Sequence, residues 1–389
     1  MSGPPDPSVP PYGEASLAEV VPSVLAALGV PGFENRLRVE PLPGVCILVV
    51  DGLGWELIER HPGDAPFLSE AATSSGRAIS TVFPSTTSAS LASLGTGLPP
   101  GEHGLVGYTF AVPGHDRAMN SLQWELYGIG PYLDLRTELR PEDFQPMPTL
   151  MEQARSAGVE ITLVGPSGHV DSGLTRAILR GGRYVGADTL DQLVEAVGAT
   201  LTRDGRTNAY AYHPFLDTFG HLRGVSSNEW TEHLLSVDRA AQAIYERLPS
   251  GFALVVTADH GMVNLGPDDR IDVADAPELM AGVRLLAGEA RARHVHARPG
   301  AAGDVLAVWR DMLGDRMWVV PKEEAIAAGW FGPKLMEWVR PRIGDVIAAA
   351  FATTGVFQRE VDPLQATLVG HHGSMTPVEQ RVPFILVRR

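Results

Sequence analysis

Val45-Cys46-Ile47-Leu48-Val49-Val50-Asp51-Gly52 is the stretch on which the fold of this chain turns. Six apolar residues in succession, mostly β-branched, are too few for a buried helix and suit a strand covered on both faces of a parallel sheet. The run ends in a carboxylate and a glycine. Related arrangements recur: the run at 251–257 leads into Ala258-Asp259-His260-Gly261, and the run at 208–212 is followed a few residues later by Asp217-Thr218-Phe219-Gly220-His221. Further strand-like runs at 160–164 and 382–387 alternate with helical spacings at 17–28, 189–200 and 230–247. Strands alternating with helices predict a doubly wound α/β fold, a mostly parallel sheet flanked by helices. Ligands bind such sheets at the carboxyl ends of the strands. Asp51, Asp217 and Asp259, far apart in sequence, are therefore expected to converge there.

The chain has 389 residues, 44% hydrophobic and 20% charged, enough for one large domain with an insertion. Its formal charge of −15 argues against nucleic-acid polymers as partners, which need dense Lys and Arg, but leaves room for a small anionic substrate held through metal ions. Cys46 is the only cysteine, so no intrachain disulfide or thiolate zinc site can form, and its apolar neighbours predict a core thiol. No segment reaches the length of a membrane span, and the start lacks the pattern of a secretion signal, so a cytoplasmic protein is expected. Residues 1–14, rich in Pro and Gly, read as a loose tail. The core is expected over 15–266 and 366–389, with 267–365 inserted as a cap subdomain beside the polar edge. The loop-like segment 106–148 is rich in aromatic residues. Nothing in the sequence speaks to oligomeric state.

The polar residues at these positions carry chemistry. Asp217 and His221 share one helical face and can meet one ion. Asp259 and His260, directly after a buried strand, are costly to bury without a partner, and a metal satisfies both. Of His371 and His372, the one followed by Gly373 is favoured as a ligand. The remaining histidines read as structural or exposed, His213 least clearly because it lies just past a strand. In Phe83-Pro84-Ser85-Thr86-Thr87-Ser88 a hydroxyl cluster opens a small-residue helix, where free N–H groups can hold phosphate and a metal can activate a hydroxyl.

These segments, in this order, resemble the alkaline phosphatase superfamily and within it the type I phosphodiesterase/nucleotide pyrophosphatase family. The resemblance covers 45–103, 217–224, 251–262 and 370–373, and is most specific from Phe83-Pro84-Ser85-Thr86-Thr87 through Gly95-Thr96-Gly97 to His103-Gly104. It implies an alkaline-phosphatase-like fold and two divalent metal ions, zinc first and manganese second. One ion would be held by Asp217, His221 and His372, the other by Asp51, Asp259, His260 and Thr87. Thr87 would be the nucleophile, forming a covalent phospho-threonine, and the substrate a small phosphorylated molecule, nucleotides among the candidates. Relatives that cleave nucleotides carry Phe directly after the threonine and Asn three residues after it; here Ser88 and Ser90 stand there, with Ser90 as the replacement phosphate contact. Tyr108, Trp124 and Trp330 are candidate base-stacking residues.

Two rival readings use the same residues. A phosphomonoesterase or phosphonate hydrolase would use the same metals, and a monoesterase would need a further cation, for which Arg117, Arg223 and Lys334 are available. A catalytically inactive nucleotide- or phosphate-binding protein would keep the fold but lose ligands, and here every expected position is filled. Sulfatase chemistry is not expected, because neither Cys46 nor the segment around Thr87 fits its Cys/Ser-x-Pro-x-Arg motif.

Overall fold

The computed structural model describes residues 4–201 and 207–389. Strands β1 (Gly44–Val50), β2 (Gly76–Ser80), β3 (Glu160–Gly165), β4 (Arg183–Gly186), β5 (Thr207–His213) and β6 (Ala253–Thr257) join β11 (Arg381–Arg388) in one seven-stranded sheet. A separate four-stranded sheet contains β7 (Val283–Glu289), β8 (Ala292–Ala297), β9 (Met317–Pro321) and β10 (Val346–Ala350). The order in the large sheet is β2-β11-β6-β1-β5-β3-β4. β1 is parallel to β5 and β6, and β3 is parallel to β5 and β4; β11 runs antiparallel to both neighbours. Every residue of β1 and β6 is buried, which is why their sequences are unbroken apolar runs. Cys46 is fully buried in β1, as its neighbours predict.

The helices used below are α1 (Val20–Ala27), α2 (Thr87–Thr96), α3 (Leu190–Thr200), α4 (Phe215–Arg223), α5 (Asn228–Arg247) and α6 (Ala302–Leu313). Thr189 and Ser227 cap α3 and α5, accepting from Gln192 N–H and Trp230 N–H, and so fix where these helices begin. α3 packs on β3 and β5, and α5 on β6. This is the mostly parallel, helix-flanked sheet that the alternating pattern predicts. Among the described residues no helix is long and apolar enough to cross a membrane.

Register decides where the polar residues emerge. Val50 lies opposite His213 and Val49 opposite Thr257, so Asp51, Asp259 and the start of α4 leave the sheet at one edge. The small sheet packs on α6 around its own apolar cluster, which includes Leu286, Val295, Trp309 and Val346. The β7–β8 hairpin reaches back towards that edge. Arg291 at its turn makes two hydrogen bonds of 2.7 Å to Glu379, both residues buried, which ties the small sheet to the segment before β11. Removing either partner would strand a buried charge, at a cost of about 3–5 kcal/mol.

Two regions differ from the sequence reading. Residues 4–14 are held against the body rather than loose: Trp318 Nε1 donates to Pro5 O (2.6 Å), and Tyr12 Oη donates to Trp330 O (2.8 Å) while accepting from Phe83 N–H (3.0 Å). A Pro-rich segment has few backbone donors to satisfy, so a handful of side-chain contacts suffices to seat it. Within 106–148, short strands at Thr109–Phe110, Met119–Asn120 and Glu125–Leu126 form a three-stranded sheet over the buried Trp124.

Candidate functional site

Asp51, Asp217, Asp259, His221, His260 and His372 meet at the carboxyl edge of the large sheet, beside the first turn of α2. Gly52 makes the turn after β1 with φ +75°, and a Cβ there would lie 3.1 Å from the Asp217 backbone, so only glycine lets α4 approach this closely. Asp259 Oδ1 accepts from Gly52 N–H and His260 N–H, each at 3.0 Å. Tyr212, on β5, donates its hydroxyl to Asp51 Oδ2. Asp51 Oδ1, Asp217 Oδ1 and Asp259 Oδ2 are buried without a hydrogen-bond partner.

The three imidazoles share one arrangement. His221 Nδ1 lies 2.8 Å from Gly370 O, His260 Nδ1 3.0 Å from Gly261 O, and His372 Nδ1 2.9 Å from Ser85 O. A carbonyl accepts only, so in each neutral ring Nδ1 carries the proton and Nε2 presents its lone pair. Those lone pairs face the carboxylates: His221 Nε2 is 3.3 Å from Asp217 Oδ2, His260 Nε2 is 3.5 Å from Asp51 Oδ1, and His372 Nε2 is 3.9 Å from Asp217 Oδ1. Backbone anchoring of the far nitrogen is how metal-binding histidines are held. Uncompensated carboxylate oxygens facing imidazole lone pairs fit divalent cations with nitrogen and oxygen donors.

The ligand atoms fall into two groups, each within 4.8 Å: Asp217 with His221 and His372, and Asp51 with Asp217 and His260. The first is the set implied by the resemblance. In the second, Asp217 faces both centres, and Asp259 Oδ2 lies 3.4 Å from His260 Nε2. The rings of His260 and His372 stack at 3.6 Å. Burial, then the charges of Asp259 and Asp217, pushes the Asp51 carboxyl well above the ordinary range. Burial also raises Asp217, with Asp259 adding to it against His221 and His260. His372 is driven well below an ordinary imidazole, by burial first and then by its neighbours His260 and His221. A cation here would reverse the carboxylate shifts.

Thr87 is the first residue of α2 and 8% exposed; its Oγ1 lies 3.2 Å from His260 Nε2. Thr86 occupies the N-cap position without a side-chain capping bond, so it does not block the first-turn N–H groups. Two cavities meet at Thr87, Leu122 and Asp217. One, of about 330 Å³, is walled by Leu91, Leu163, Leu174, Ile178, Tyr184 and Tyr212. The other, of about 240 Å³, contains Tyr108, Glu289, Asp362, His221 and His372.

Several expectations fall elsewhere. Ser90 lines neither cavity and is not placed as a phosphate contact: its Oγ lies 2.8 Å from Thr81 Oγ1, and Thr81 in turn donates to Asp259 O. Three residues along α2 is almost a full turn, roughly 4.5 Å deeper than Thr87, so Ser90 braces the site from beneath. His371 turns away, with Nε2 3.1 Å from Leu368 O and its ring against Phe357. His213 Nε2 lies 2.7 Å from His233 Nε2. Trp124 and Trp330 are core residues, and of the three aromatic candidates only Tyr108 lines either of the two cavities that meet at Thr87. Arg117 donates to carbonyls of its own loop, Arg223 lies 3.6 Å from Glu229, and neither these nor Lys334 line a cavity. Tyr212 and Glu289 escaped the sequence reading. Tyr212 was visible as a strand residue next to His213, but no local pattern marks Glu289.

The family model for type I phosphodiesterase / nucleotide pyrophosphatase matches residues 45–375. The chain belongs to that family. Solved structures agree with this family fold. Human ectonucleotide pyrophosphatase/phosphodiesterase 5 superposes with a TM-score of 0.65 at 16% identity, over 87% of each chain. An inactive variant of the murine protein in complex with AMP gives 0.64 at 15% identity, over 87% of this chain and 86% of that one. Phosphonoacetate hydrolase from Sinorhizobium meliloti 1021, in complex with phosphonoformate, gives 0.63 at 19% identity, over 88% and 89%. At these identities the likeness concerns the fold alone. No curated protein matches this chain significantly. Membership in the type I phosphodiesterase family supports a phosphoric ester hydrolase.

Proposed function

We propose that this protein is a two-metal hydrolase of phosphodiester or pyrophosphate bonds with Thr87 as nucleophile. The observation that carries the reading is the Thr87 hydroxyl, 3.2 Å from His260 Nε2 at a helix N-terminus, beside three unpartnered carboxylate oxygens. Asp217, His221 and His372 would hold one ion, and Asp51, Asp259, His260 and Thr87 the other. Zinc suits these donors best and manganese next. When bound, the ions would supply Lewis acidity at the phosphoryl oxygens and favour the ionised Thr87 hydroxyl.

The first-turn N–H groups of α2 would receive the phosphoryl oxygens. Thr87 Oγ1 forms a bond to phosphorus as the bond to the leaving oxygen breaks, giving a phospho-threonine ester and an alcohol or nucleotide product. Water then attacks that phosphorus, the Thr87–phosphorus bond breaks, and the threonine hydroxyl is restored with release of the second product. Asp259, fixed by two N–H donors, and Asp51, fixed by Tyr212, keep the acceptors in place through both halves.

A diester is favoured over a monoester or phosphonate because, among the described residues, no Lys or Arg lines either cavity to match a second negative charge. The test is turnover of metal-loaded protein on a para-nitrophenyl phosphodiester beside the matching monoester. Preference for the diester is expected; preference for the monoester would move the function to phosphatase. In the same assay Thr87→Ala should lose at least about a thousandfold in kcat while binding its metals. Retention of more than a few percent of activity would remove Thr87 from its role.

A further inference from the structure

We propose that the proline-rich segment 4–15 is a strap that positions the nucleophile loop, with Tyr12 as the positioning residue. The inference rests on the reading of Thr87 as nucleophile, and it brings to that site a segment outside the residues that the family model matches. Phe83 lies between β2 and α2, fully buried and outside both elements, so its N–H has no place in a sheet ladder or a helix. A buried N–H needs an acceptor. Tyr12 Oη is that acceptor at 3.0 Å, and the same hydroxyl donates to Trp330 O at 2.8 Å. The Phe83 ring packs against the rings of Trp330 and Phe331, at 5.1 and 5.4 Å. One tyrosine therefore ties the start of the loop to the segment on which its own aromatic ring rests.

The strap is anchored on either side of Tyr12. Trp318 Nε1 donates to Pro5 O (2.6 Å), an indole meeting a carbonyl of a proline-rich segment as aromatic grooves do. On the other side Ser80 N–H of β2 donates to Ala15 O (3.0 Å), and Glu19 accepts from Gly13 N–H (3.0 Å) and Ser16 N–H (2.8 Å). Prolines at 4, 5, 7, 10 and 11 have fixed φ, so little conformational freedom is lost in holding the segment in place.

The loop that Tyr12 holds carries both halves of the proposed chemistry. Ser85 O orients the ring of His372 at 2.9 Å, and Thr87 Oγ1 lies 3.2 Å from His260 Nε2. On its far side Ser85 is fixed by its N–H to Gly373 O (3.0 Å) and its hydroxyl to Ser374 O (2.7 Å). Pro84 has no N–H to contribute, so the near side depends on Phe83 and through it on Tyr12. Without the Tyr12 hydroxyl the Phe83 N–H must find another acceptor, and the loop moves with it. Misplacing a reacting oxygen by about 1 Å costs up to about a hundredfold in rate.

The experiment is Tyr12→Phe in the full, metal-loaded chain, which removes the hydroxyl and keeps the ring. On a para-nitrophenyl phosphodiester kcat should fall about tenfold or more while KM changes less than about twofold, because Tyr12 lines neither cavity that meets at Thr87. Amide hydrogen exchange should quicken in the peptide that carries Phe83 to Thr87 and stay unchanged in the one that carries β6. Trp318→Phe, which removes the donor to Pro5 O, should move both readouts the same way by less, and it replaces Tyr12→Phe if that variant fails to fold. Unchanged exchange at 83–87 in both variants would overturn the strap. Faster exchange there with kcat unaltered would make the strap a stabilising contact only and overturn its positioning role, as would a rise in KM at constant kcat. Silence of the unaltered protein on every diester, with exchange at 83–87 still responding to Tyr12→Phe, would refute the hydrolase reading and keep the hold of the strap on the loop.

Discussion

The edge of the large sheet and the tip of the β7–β8 hairpin both bury carboxylates, but they surround them differently. At the sheet edge Asp51, Asp217 and Asp259 face three imidazoles, each anchored through Nδ1 on a backbone carbonyl. At the hairpin tip Glu289 shares its cavity with Tyr108, Asp362, His221 and His372 but, among the described residues, joins no group of atoms that could share an ion. Burial raises carboxyl pKa values in both places. What differs is the company: nitrogen and oxygen donors converging on a point suit a metal ion, whereas a buried acid outside such a group keeps its proton.

The comparison breaks most readily at the histidines. His372→Ala should weaken metal binding by at least about a hundredfold, read as metal content after dialysis, because the proposed ligand and not a supporting residue is lost. His371→Ala should leave metal content alone and cost about 1 kcal/mol of stability for its bond to Leu368 O. Equal metal loss in both would mean that the anchoring of His372 on Ser85 does not mark a ligand.

Titration sharpens the other half. Burial lifts the Glu289 carboxyl from 4.5 to about 8, so the folded protein holds that proton more tightly than the unfolded chain. The stability this contributes is complete below the unfolded value and is lost as pH rises towards 8. Relative to Glu289→Gln at equal metal loading, the unaltered protein should lose stability by up to about 1.4 kcal/mol per pH unit across that window. Denaturation midpoints at a series of pH values measure it, and a pH-independent difference would mean Glu289 already has a partner. The smallest effect is expected beneath the site: Ser90→Ala should cost about 1 kcal/mol for its bond to Thr81, with KM little changed. A large rise in KM would return Ser90 to the substrate.

Much of this was legible in the sequence where the signal is local. The runs that become β1 and β6 are apolar on both faces because helices and neighbouring strands cover both, and a polar residue directly after such a run can only sit at the sheet edge. That reasoning reached Asp51, Asp259 and His260, and the four-residue spacing of Asp217 and His221 reached α4. It failed at Ser90, since a hydroxyl on the first turns of a helix can face substrate or brace the layer below, and only the position of Thr81 decides which.

The chain by itself determined the sheet, its helices and the polar residues that emerge at its carboxyl edge, because each follows from periodicity and burial within a short segment. Tertiary structure decided the rest. His372 rather than His371 faces the carboxylates because Ser85, far away in sequence, offers the carbonyl that orients its ring. Glu289 enters the site because the Arg291–Glu379 pair and the side-chain-free Gly373 draw a distant hairpin against it. Contacts between residues so far apart leave no periodic trace in the sequence.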